Sequence, residues 1–206
     1  MPLRGVTARL VAAMAMIGGI AHTQRAAIRL QLDGLWSVKE LSSTLSNLAT
    51  AYDAAVALHF LGTEEFLSSQ ELLAWIPPSD ARGSDDLNAT IFSLTTMGLN
   101  GIRLRASLSG MPLQFQRVQL ASPGLMEAAG LLNPLRTVLG FVVGLRTREA
   151  DLGHGQPSDT VELLDRIPEP VREHYAAPLL GDIEHTARAI ARDRRVGNID
   201  VIPSDD

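Results

Sequence analysis

No cysteine occurs anywhere in the 206 residues. That absence excludes a disulfide framework, a thiolate zinc site, an iron–sulfur cluster and a cysteine nucleophile together. Aromatic residues are scarce, 4% of the chain, so a core must be assembled mainly from Leu, Ala, Val and Ile. Lysine is nearly missing: Lys39 stands alone, and all the other basic residues are arginine. No apolar run reaches the ~20 residues that span a bilayer, the longest being Leu10 to Ala21. There is no G-x-S-x-G elbow, Walker loop, H-E-x-x-H or G-x-G-x-x-G behind a strand. The net charge of −5 lacks the basic excess of a general nucleic-acid binder.

What is present is an ordinary globular mixture, 46% apolar and 20% charged, of a length suited to one domain with a small annex. The arginine and alanine content is that of a bacterial or phage gene of high GC content. Charge is laid out in blocks: residues 1–32 carry +4, 33–86 carry −7, 87–148 carry +5 and 149–206 carry −7. Such blocks set cationic surface beside anionic surface, used either for pairing between elements or for self-association.

Behind Arg4 and Arg9, the run Leu10–Ala21 reads as a buried or partner-facing helix over Thr7–Ala21, closed by Gly18-Gly19. A signal-peptide core is the other reading, with Gly19-Ile20-Ala21 a poor cleavage site. Ile28, Leu30 and Leu32 alternate with polar or small residues, a strand stopped by Asp33-Gly34. Ser37 and Glu40 form a capping box. Behind it Val38, Leu41, Leu45, Leu48, Tyr52 and Val56 make the stripe of an amphipathic helix to about Leu61. Glu64–Trp75 predicts a short helix, Ser79–Asp86 an acidic loop and Thr90–Met97 a strand.

Ile102, Leu104, Ala106 and Leu108 alternate with Arg103, Arg105, Ser107 and Ser109. With Gly110-Met111-Pro112 and the run Leu113–Leu120, this predicts a β-hairpin with a bulge near Gln116-Arg117. Ser122-Pro123 and Asn133-Pro134 each read as helix starts, giving helices over 123–132 and 134–147. Gly153–Pro157 reads as a linker. Asp159–Arg195 is helical in character, broken at its prolines, and Asn198–Ile202 suits a last strand. The expected class is α+β: a small, mainly antiparallel sheet with helices packed on one face. The order β-α-β-β-α-β is compatible with a ferredoxin-like plait. The expected divisions are an apolar helix at 1–24, an α+β core at 25–150 and a helical segment with an acidic tail at 151–206.

The candidate binding residues are the outward phase of the expected strands: Arg29, Gln31, Arg103, Arg105, Gln114, Gln116, Arg117 and Gln119. Arginine forks and amides grip carboxylates, phosphates or peptide backbone. The bland alternative is a solvated sheet face. Without aromatic platforms, single-stranded nucleic acid is disfavoured as the partner. Val138–Leu145 and the 10–21 run are apolar nearly all round, which points to core or to a subunit interface. Met14, Ile17, Ile20, Val138, Phe141 and Val142 are the candidate interface residues. Gly140 and Gly144 have small-xxx-small spacing, suited to close helix contact.

The five histidines are His22, His59, His154, His174 and His185. No pairing among them has metal-ligand spacing, so no metal, cofactor or catalytic residue is assigned. The reading is a non-catalytic, cytoplasmic binding or assembly subunit, self-associating or holding another protein, and no integral membrane protein. The rival is a hydrolase or transferase that holds an anionic substrate on Arg103, Arg105 and Arg117 with His154 as base. A nucleotide- or nucleic-acid-responsive regulator is the third reading, marked by salt-sensitive binding.

Overall fold

A computed structural model describes residues 24–63, 66, 98–107, 111–120, 123–150 and 158–203. The expected helix at 7–21, the acidic loop at 79–86, the strand at 90–97 and the 153–157 linker lie outside the described residues, as do Met14, Ile17, Ile20, His22 and His154 and all but Phe66 of the helix expected over 64–75.

Strand β1, Arg25–Leu32, buries Ala26, Ile28, Leu30 and Leu32 while Arg29 and Gln31 face out, as its alternation predicts. Gly34 turns the chain at a φ of 77°, a region glycine adopts without strain. Helix α1, Val38–Leu61, then starts on the expected capping box. The Ser37 hydroxyl accepts from the Glu40 backbone N–H, and the Glu40 carboxylate accepts from the Ser37 N–H.

Residues 98–107 are helical (α2), where a strand was expected over 102–108. Ile102 and Ala106, fully buried, are four apart, a spacing that belongs to both periods, while Leu104 is 61% exposed. Strand β2, Gln114–Gln119, instead pairs with β3, Gly124–Leu131, with the register slipping between Phe115 and Arg117 where a bulge was expected. The helix expected over 123–132 is therefore this strand. β3 lies between two neighbours and is covered on much of both faces, so it loses alternation, and pairing overrides the helix propensity of its Leu, Met, Glu and Ala.

Helices α3, Leu132–Ala150, and α4, Ser158–Arg166, follow. Helix α5, Glu169–Val171, runs through a π-helical turn at Arg172–Ala176 into α6, Ala177–Arg192. Pro178 does not break the run as expected. It has no N–H to give to the preceding turn, and the widened turn, with the Ala177 N–H on Arg172 O, absorbs the misfit. Strand β4, Val196–Pro203, closes the chain beside β1.

The sheet order is β2-β3-β1-β4 with every neighbour antiparallel, the split β-α-β arrangement of a ferredoxin-like plait. α3 lies against β1, β3 and β4, and packs with α1 and α6. Leu179, Ile183, Ala187 and Ile190 of α6 join Ile28, Leu30 and Met126 in one hydrophobic cluster. The expected division at 150/151 therefore separates no second core, because the last segment supplies a strand and part of the interior.

Candidate functional site

The sheet has two edges, and they differ. All six residues of β2 are exposed. Register places Phe115 and Val118 on the helix-side face, opposite Ala128 and Met126, where they stay 40% and 42% exposed. Gln114, Arg117 and Gln119 lie on the outer face. Among the described residues, no backbone group outside the sheet bonds to β2. At the other edge, the Arg146 guanidinium of α3 donates to Gly197 O at 2.6 Å and Val196 O at 2.7 Å. Burial lowers the pKa of Arg146, so this contact is drawn partly out of water.

Across the outer face, register sets Arg117, Glu127, Arg29 and Asp200 in one row. Arg29 pairs with Glu127 at 3.4 Å, and Arg117 donates to Gln119 Oε1 at 2.9 Å. The next row holds Gln119, Leu125 and Gln31, and Gln31 donates to Asp33 Oδ1 at 3.1 Å. The expected Arg/Gln face therefore also carries Glu127 and Asp200, which alternate with its arginines. Gln114, Gln116, Arg117 and Gln119 do share β2, with Arg29 and Gln31 two strands away. Arg103 and Arg105 are on α2, not on the sheet, because 98–107 folds as a helix.

Arg103 pairs with Asp182 of α6 and lines a cleft of about 550 Å³ with Tyr52, Asp53, Ser107 and Met111. Burial raises the Asp53 carboxyl pKa against the opposing pull of Arg103. Burial likewise pushes Tyr52 up to about 12, and its hydroxyl is taken, donating to Met111 O and accepting from Leu131 N, both at 2.8 Å.

The helical interface residues Val138, Phe141 and Val142 are buried within the chain's own core. Their covering is intramolecular, which corrects the expectation that a partner covers this part of the chain.

A second cleft, of about 190 Å³, was not singled out by the sequence reading. It is bounded by His59 near the end of α1, by Asn133, Arg136 and Thr137 on α3, and by Glu162, Leu163 and Arg166 on α4. His59 Nε2 lies 2.9 Å from Thr137 Oγ1. Burial, aided by the Arg166 charge, lowers the His59 pKa to about 4, so the ring is neutral near pH 7. The only sequence signal was the place of His59 three residues beyond Val56 in the apolar stripe of α1, which reads equally as core.

His185 is exposed on α6, and His174 Nδ1 lies 2.9 Å from Pro170 O. Arg103 and Arg105 sit on a helix and Arg117 on the outer face of the sheet, so the anion grip of the hydrolase reading is not assembled among the described residues. Those residues also contain no cluster of three metal-ligating side chains, and no helix long and apolar enough to cross a membrane. No family model, curated protein or solved structure matches the chain.

Proposed function

We propose that this chain is a non-catalytic assembly subunit that joins a second copy of itself along the exposed edge of β2, which has no backbone partner on that side among the described residues. The observation that carries the reading is a strand exposed over its whole length whose order, Gln-Phe-Gln-Arg-Val-Gln, is self-complementary. In a twofold antiparallel pair centred between Gln116 and Arg117, Phe115 of one copy faces Val118 of the other on the helix side. Gln114 then faces Gln119, and Gln116 faces Arg117, so no arginine opposes an arginine. Aromatic–β-branched pairs of this kind contribute roughly 0.2–1 kcal/mol each, added to the backbone bonds of the new ladder. Arg117 stands opposite Glu127 in the register of its own chain and donates to Gln119 Oε1, so a carboxylate and an amide accompany its charge at the new edge.

The unequal edges support the choice. Bulges and charges are devices that discourage pairing, and β2 carries a bulge and one arginine. β4 carries more: two carbonyls already held by Arg146, and Pro203, which has no N–H. The cytoplasmic setting expected from the sequence remains part of this reading.

Light scattering of the full chain across a concentration series tests it. The expected mass approaches twice 22.2 kDa at high concentration. Val118→Lys, an exposed change that leaves the fold intact by circular dichroism, should weaken association by roughly tenfold or more, about 1.4 kcal/mol. A monomer at every concentration overturns the reading, as does a Val118→Lys dimer of undiminished strength. A monomer that captures a different protein through β2 would move the role to a foreign partner.

A further inference from the structure

We propose that the small cleft enclosed by α1, α3 and α4 binds a small oxyanion, a phosphate or carboxylate group, between Arg136 and Arg166 with Asn133 and Thr137 as neutral donors. The volume of about 190 Å³ lies below the ~300 Å³ at which pockets accept drug-sized molecules, so it suits a single charged group. Two guanidinium groups at its rim carry ten N–H donors in planar forks, the geometry that matches oxyanions. Among the described residues, no carboxylate stands within ion-pair distance of either group. Arg103, Arg188 and Arg195, by contrast, are each committed to an acid. The cleft's one carboxylate, Glu162, leaves an excess of one positive charge.

The interior end of the cleft adds a hydroxyl whose direction depends on one proton. His59 and Thr137 share a hydrogen bond, and the ring is neutral. When His59 carries its proton on Nε2, it donates to Thr137 Oγ1, and the threonine proton is then free to point into the cleft. When the proton is on Nδ1, Thr137 donates to the ring and offers the anion no proton. Occupancy therefore selects the Nε2–H form. Leu163 of α4 lies close over Gly62 at the end of α1, which fixes the distance between α1 and the arginine of α4.

The experiment is a titration of the full-length protein with sodium phosphate and, separately, sodium acetate against chloride at constant ionic strength, followed by NMR. Saturating shifts at Thr137, Leu163 and the His59 ring are expected, with ring nitrogen shifts moving toward the Nε2–H form. Arg136→Gln and Arg166→Gln should each weaken binding roughly tenfold, as expected for a lost charge-assisted pair. Arg136→Lys and Arg166→Lys, which keep charge without the fork, should fall between, and Glu162→Gln should bind several-fold tighter. Arg25→Gln, on β1, should leave affinity unchanged. Preference for phosphate over acetate, or the reverse, identifies which oxyanion the cleft takes. Absence of saturating shifts in the cleft overturns the proposal. Undiminished binding in either glutamine variant, or an equal loss in Arg25→Gln, does so too. None of these outcomes depends on the oligomeric state.

Discussion

One phenol ties three parts of this chain together. The Tyr52 hydroxyl bridges Leu131 N on β3 and Met111 O ahead of β2, so the ring cannot swing aside. Gly130 faces it, and a methyl group there would meet two ring carbons at 2.7 and 2.8 Å and the hydroxyl oxygen at 2.9 Å. Gly130→Ala should destabilise by about 1–3 kcal/mol through overpacking, and Tyr52→Phe by a similar ~1–3 kcal/mol by orphaning a buried N–H. Urea denaturation measures both. Acid exposes two further residues in separate windows. The folded state disfavours the His59 proton, its pKa falling from 6.5 to about 4. Stability is full above pH 6.5 and drops by up to about 3 kcal/mol as pH falls toward 4, because the unfolded chain binds the proton first. Glu40 is held down from 4.5 to about 2, first by its hydrogen bonds to Ser37 and then by Arg195. Its contribution is present above pH 4.5 and disappears as pH falls through 2. Melting temperature against pH, in buffers free of phosphate, should lose the first step in His59→Asn and the second in Glu40→Gln.

At the scale of elements, local chemistry was readable wherever it acted alone. The capping box of α1, the alternation of β1, the bulge in β2 and the final strand follow from a few adjacent side chains. Ser37→Ala should accordingly cost about 1 kcal/mol, read by thermal or urea unfolding, since it removes the cap of the longest described helix. The errors occurred where two readings shared the same residues. Ile102 and Ala106 serve period two and period four alike, and only packing separates the two. β3 is written in helix-forming residues and is made a strand by its neighbours on either side. The surface suffered in turn: Arg103 and Arg105 left the sheet, and Glu127 entered it from a segment expected to be a helix. That Gln114, Gln116, Arg117 and Gln119 share one strand is legible from the alternation and turn residues around them. The His59 cleft is not, because its groups come from three helices and no spacing in the sequence links them.

For the whole molecule, ion pairs among the described residues tie together stretches far apart in sequence, and of these Arg103–Asp182 joins a basic block to an acidic one. Arg29 meets Glu127, Arg103 meets Asp182 and Arg195 meets Glu40, each joining different blocks. These pairs are partly exposed, of the kind worth ~0–1 kcal/mol, so salt should move the melting temperature by only a few degrees. Interleaving also binds the termini of the described region into one unit. A chain ended at Ala150 loses β4 from beside β1 and Leu179, Ile183 and Ile190 from the core. It should fail to fold. In the full chain, with Trp75→Phe so that Trp36 alone reports, fluorescence and circular dichroism should trace one coincident transition.

A ribbon that adheres at both margins grows without limit. Here the Arg146 hook occupies two carbonyls at the start of the second margin, and the proposed rotationally symmetric join uses up the first. If the chain pairs as proposed, growth halts after a single event, leaving discrete particles with one uninterrupted eight-stranded sheet in place of fibres.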